Sequence, residues 1–187
     1  MKLHYKGKYN LDPSSLPKRP HEKNAVKFKE PKDSKQLMIV ANIVSIVIAI
    51  VFAIPMSFYF ESFKLIDYLI TFIIFLLCLL PHELLHAICF KEDVYLYTNL
   101  KQGMLFVVGP ERMSKARFIF LSLLPNVILG LLPYVFGFIF NIHLVTFVGY
   151  LNLICGSGDY INAYNALTQM PKNAKTYLYE FNSYWYI

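Results

Sequence analysis

His82-Glu83-Leu84-Leu85-His86 sets two imidazoles four residues apart, with a carboxylate directly after the first. On an α-helix that spacing, at about 100° per residue, brings both rings to one face a turn apart. Their nitrogens can then converge on one metal ion while Glu83 reaches a water beside it. These are zinc donors, and a catalytic zinc site takes three protein ligands and keeps a fourth position for water. The pentapeptide also closes an apolar run. Two histidines and a glutamate on a lipid-buried helix cost several kcal/mol unless they are paired or bound to an ion. Pattern and setting together predict one Zn²⁺ per chain.

A third ligand has to come from elsewhere. Outside the run that carries the histidines, Asp159 is the one ionisable residue deep in an apolar segment. His82 lies 17 residues after Leu65 and Asp159 lies 16 after His143. At helical rise both are about 25 Å along their segments, so their depths agree. The expected ligand set is His82, His86 and Asp159, with Cys155 and Asn162 as alternatives or as groups supporting the ligands. Asp159 has a second reading, a capping carboxylate in the turn Gly156-Ser157-Gly158-Asp159, where the glycines permit a break. With this set, Glu83 is the expected general base and peptide hydrolysis the expected reaction. Asn126 and Asn152 are candidates for an oxyanion donor or for hydrogen bonding between helices. Pro81 removes a helical hydrogen bond just before His82 and favours a bend there.

These residues need four helices to position them. The 187-residue chain is 56% hydrophobic and only 16% charged, which excludes a disordered or nucleic-acid-binding tail protein. Leu37 to Phe60 is 24 residues without a charge or histidine, and Phe118 to Ile142 is 25; about 20 suffice to cross a bilayer. Two further runs span if their embedded polar groups are included. The expected fold is an all-α membrane protein with transmembrane helices near 37–60, 65–90, 117–141 and 143–167. Residues 1–36 form a cytosolic arm with little structure of its own, and 169–187 an aromatic cytosolic tail at headgroup level. In the loop 91–116, Val94 to Thr98 and Met104 to Val108 flank Lys101-Gln102-Gly103, which predicts a cytosolic β-hairpin. An open edge of that hairpin could pair with an extended peptide.

Seventeen of the 18 Lys and Arg fall on one side of this arrangement, with Lys64 alone on the other. The expectation is a multi-pass protein of the bacterial cell membrane with both termini in the cytosol. The +6 net charge is then an orientation signal, with no nucleic acid implied. No apolar core precedes residue 37, so no cleavable secretory signal is expected. Three cysteines, Cys78, Cys89 and Cys155, do not make a disulfide framework.

A short four-helix chain with His82-Glu83-Leu84-Leu85-His86 in one span, a β-type loop after it and Gly158-Asp159 in a later span resembles the intramembrane zinc metalloproteases of the site-2 protease type. It resembles more closely a bacterial family of zincin membrane peptidases, in which segments like Leu124-Pro125-Asn126 and Gly158-Asp159 recur in that order. The match takes in most of the chain, including Asn24 to Lys29. The resemblance implies His82, His86 and Asp159 as ligands, Glu83 as catalytic glutamate, and cleavage of a membrane-embedded or membrane-adjacent protein or peptide near the cytosolic side. Site-2 proteases carry the third ligand in an Asn-Pro-Asp-Gly type segment, which Gly156-Ser157-Gly158-Asp159-Tyr160 does not reproduce. Two other functions fit the residues: a non-catalytic membrane scaffold or immunity-type protein with a structural metal site, and a metallohydrolase acting on lipids or lipidated peptides.

Overall fold

A computed structural model describes residues 1–31, 34–57, 63–180 and 182–187. The chain divides into two compact units, one of residues 1–30, 83–122 and 162–187, the other of 31–82 and 123–161.

The first unit is built on two small sheets. Strands β1 (Leu3–Lys8), β3 (Val94–Asn99) and β4 (Met104–Val108) form one, in the order β1-β3-β4. The hairpin β3–β4 is the one expected from its alternating β-branched and aromatic residues, and Gly103 takes a left-handed φ of 63° at its turn. The arm before residue 37 departs from expectation. Strand β1 pairs parallel with β3, and the chain then buries Tyr9 and Leu16 against Tyr97 and Phe106. Too few apolar residues alternate in β1 to announce a strand. Its pairing is supplied by a partner some ninety residues away.

The tail departs in the same way. Strands β6 (Lys175–Tyr179) and β7 (Asn182–Tyr186) form a hairpin. With β2 (Val26–Lys27) and β5 (Met113–Ser114) they make a second sheet in the order β2-β7-β6-β5. Tyr177 is buried and stacks on Tyr184, and Trp185 packs on the cluster of Phe28, Ala166, Met170 and Ala174. These rings therefore face a protein core where headgroup contact was expected; Phe181 lies outside the described residues. The fold is mostly helical with two sheets, not all-α with one hairpin.

The apolar helices fall mainly in the second unit, with residues 83–87, 115–122 and 162–169 of them in the first. Helix α1 (Ser34–Met56) ends before the expected boundary at 60, and residues 58–60 lie outside the described residues. Helix α2 (Leu65–Ala87) includes the pentapeptide. Next come α3 (Lys115–Pro125), a π-helical stretch at Asn126–Leu131, and α4 (Leu132–Ile139), continuous as one apolar rod. The expected fourth helix is two: α5 (His143–Cys155) and α6 (Ser157–Gln169) meet at 55°. Among the described residues, three helices are thus long and apolar enough to cross a membrane, or four if the bent pair is one span.

Backbone carbonyls tie α1 to α4 and α5. Tyr134 Oη donates to Phe52 O at 2.9 Å and Ser45 Oγ to Ile154 O at 2.9 Å. Met56, Tyr134, Phe147 and Leu153 form the buried centre of this unit. A Cβ on Gly149 would run into the backbone of Tyr134 and Gly130, so a glycine there lets two helices approach closely, as small residues do in membrane bundles.

Candidate metal centre

Helix α2 carries His82, Glu83 and His86 in register on its last turns, and the break after Cys155 carries the rest. Gly156 ends α5, and Asp159 falls in the first turn of α6. That turn favours a negative charge, because unpaired N–H groups point out of a helix N-terminus. His82 Nε2 and Asp159 Oδ2 stand 3.1 Å apart. Among the described residues, one group could hold a metal ion: His82, His86 and Asp159, each offering a ligand atom within 4.8 Å of the others. His86 is buried and the other two are half-buried. Ligand atoms about 2.0–2.2 Å from a tetrahedral zinc would be roughly 3.3–3.6 Å from each other, and two nitrogens with one carboxylate are a zinc donor set. The residues present fit the ion.

Neighbouring groups orient these candidate ligands. Asn126 Nδ2 donates to Asp159 Oδ2 at 2.7 Å. The two meet because Gly156 leaves room for the amide: a Cβ at that position would overlap Asn126 Oδ1. His86 Nδ1 lies 2.9 Å from the carbonyl of Leu121. A carbonyl can only accept, so Nδ1 holds the proton and Nε2 keeps the lone pair. Glu83 Oε2 accepts from the backbone N–H of Val107 on β4 at 2.9 Å, which fixes the carboxylate beside the ligand turn.

The remaining candidates separate. Cys155 is exposed and is not in the ligand group. Asn152 is buried, but its amide donates to Val148 O within its own helix at 2.9 Å, as a membrane asparagine does when no ligand claims it. Asn162 is half-buried in α6. Asn126 is spent on Asp159, which suits a supporting role better than an oxyanion donor.

Two contributions have no motif behind them. The Leu121 carbonyl is one, for which Pro125 is the only trace in the sequence. Glu111 is the other. It is buried and accepts from the N–H groups of Lys91, at 2.7 Å, and Glu92, at 3.1 Å, just beyond α2, and it pairs with Arg117. Burial pushes its carboxyl up, and the Arg117 guanidinium and the two N–H groups outweigh that and hold it below the usual range. Arg117 also donates to Cys89 O at 3.0 Å, so the cluster clamps the exit of α2 close to the ligand turn.

A family model described as "Putative zincin peptidase" matches residues 74–175, which is more than half of the chain. The match takes in the pentapeptide, Leu124-Pro125-Asn126 and Gly158-Asp159. These comparisons give no support to the site-2 protease likeness. No curated protein and no solved structure matches the chain.

Proposed function

The chain belongs to the family described as "Putative zincin peptidase", and on that premise we propose that it is an intramembrane zinc metalloendopeptidase. Its substrates are membrane-embedded or membrane-adjacent polypeptides cut near the cytosolic side, in the manner of site-2 proteases. The observation that carries this reading is the meeting of His82 and Asp159 at 3.1 Å on apolar, membrane-length segments, with His86 completing the group. Buried ionisable residues at membrane depth gather where an ion or a reaction needs them.

His82, His86 and Asp159 are the proposed ligands. The bound Zn²⁺ would polarise the scissile carbonyl and acidify the attacking water. Glu83 takes the proton from that water and delivers it to the leaving amine. Asn126 keeps the Asp159 carboxylate facing the histidines, and Leu121 O keeps His86 in the tautomer that leaves Nε2 bare. The apolar helices surround the site with lipid, both termini lie in the cytosol, and water has to enter from the cytosolic half.

The test uses the full chain purified in detergent without chelator. It should hold about one zinc per chain, lose it in His86→Ala, and cleave a reconstituted library of single-span peptides. Glu83→Gln should keep the metal and lose cleavage. Wild-type protein that binds no divalent metal would overturn the reading; so would a Glu83→Gln variant that cleaves at the wild-type rate. Zinc retained with no peptide product, but with released fatty acid from added lipid, would transfer the site to lipid hydrolysis.

A further inference from the structure

The hydrogen bond from His86 Nδ1 to Leu121 O requires an acceptor that a helix does not ordinarily have to spare. Inside an α-helix each carbonyl receives the N–H four residues on. Leu121 lies within α3, and four residues on is Pro125, which has no N–H and whose ring crowds the carbonyl four back. Leu121 O therefore has no ladder donor at that position, and His86 Nδ1 lies 2.9 Å from it. Pro125 is fully buried, and its neighbour Asn126 begins the π-helical stretch, a local unwinding that often marks a functional site.

We propose that Pro125 is a positioning residue for the metal centre. By withholding a donor from Leu121 O it reserves that carbonyl for the Nδ1–H of His86, and so fixes the ring in the tautomer whose Nε2 can bind a cation. What Nε2 binds rests on the reading given above; the tautomer does not. The next residue, Asn126, holds Asp159 at 2.7 Å. The stretch Leu121 to Asn126 thus serves two proposed ligands, the first through the Leu121 carbonyl and the second through the Asn126 side chain.

Pro125→Ala restores the missing N–H and makes His86 share the carbonyl. The experiment records the imidazole ¹⁵N spectrum of metal-free full-length protein in detergent, at a pH where the rings are neutral. His86 is assigned by its loss in His86→Gln. Wild type should show His86 as the Nδ1–H tautomer, and Pro125→Ala should move it toward a mixture with Nε2–H. In a chelator competition the variant should bind Zn²⁺ about tenfold more weakly, the low end for disturbing a ligand's partner. Melting of the metal-free variant should stay level or rise, because a proline inside a helix is destabilising. Pro133→Ala, the same change two turns further along, should leave tautomer and affinity alone.

An Nε2–H tautomer in wild type overturns the proposal without any variant. It falls equally if Pro125→Ala keeps the wild-type tautomer and affinity, or if its zinc loss only follows a lowered melting point. A wild type with the expected tautomer but no zinc affinity would instead defeat the metal centre, and a tautomer shift in Pro125→Ala would then leave only the hold of Pro125 on the His86 tautomer standing.

Discussion

At the scale of single residues the site is a chain of orientations. Asp159 Oδ2 meets His82 Nε2 at 3.1 Å and the Asn126 amide at 2.7 Å, so the carboxylate is steered before any ion arrives. Asn126→Ala should lower zinc affinity roughly 10–100-fold, read by chelator competition, with the helical signal unchanged. Glu83→Gln removes a proton acceptor without touching a ligand, so zinc content should stay and peptide cleavage fall about 10²–10⁴-fold. The two histidines and Glu83 were legible because helical period is a local property of five consecutive residues. Asp159 was legible from depth alone. The Leu121 carbonyl was not, since a backbone acceptor is available or spoken for according to its hydrogen-bond ladder, and no side chain records which.

Among the elements, the joint between α5 and α6 decides most. A continuous fourth helix would carry Asp159 on with the direction of α5; the 55° bend at Gly156 starts a new helix whose first turn presents it. Gly156→Ala should displace Asn126, because the added Cβ falls on its Oδ1. The expected cost is about 1–3 kcal/mol of stability, together with weakened zinc binding. Thermal melts and metal titration of the same sample check both. The glycines before Asp159 pointed to a break, whereas its angle depends on how α5 packs: Ser45 holds Ile154 O, and Leu153 belongs to the core with Tyr134. The β3–β4 hairpin was readable from its own alternation and turn. Strands β1, β2 and β5 were not, because each pairs with a strand distant in the chain.

Over the whole molecule, charge and apolarity are segregated. Fifteen of the 18 Lys and Arg belong to the unit that holds both sheets, while the membrane-length segments lie mainly in the other. If both termini lie in the cytosol, as proposed, Lys64→Cys should react with an impermeant maleimide added outside intact cells and Lys101→Cys only after lysis; the reverse pattern would invert the topology. Acid should loosen the sheet-bearing unit through Glu111. Its carboxyl is held below the ordinary value when folded, so the unfolded state takes up the proton first. Its stabilisation is complete above about pH 5 and fades as pH falls through the ordinary carboxylate range, about 4, toward the lower folded value. Glu111→Gln should lose about 2 kcal/mol near neutrality, since Arg117 keeps a charge without its partner, and its stability should vary less between pH 5 and 3, as denaturant melts at several pH values would record.

The sequence by itself determined the apolar helices, the spacing of His82, Glu83 and His86 on one helix, the place of Asp159 in an apolar run and the hairpin that follows α2. Each depends on period, length or neighbouring residues, which are written in consecutive letters. Tertiary structure alone decided that the arm and tail become strands, that Asn126 bonds to Asp159 while Asn152 bonds to its own helix, and that Leu121 O receives His86. Those outcomes turn on which backbone and side-chain groups are brought within about 3 Å of one another, and only the folded chain sets that distance.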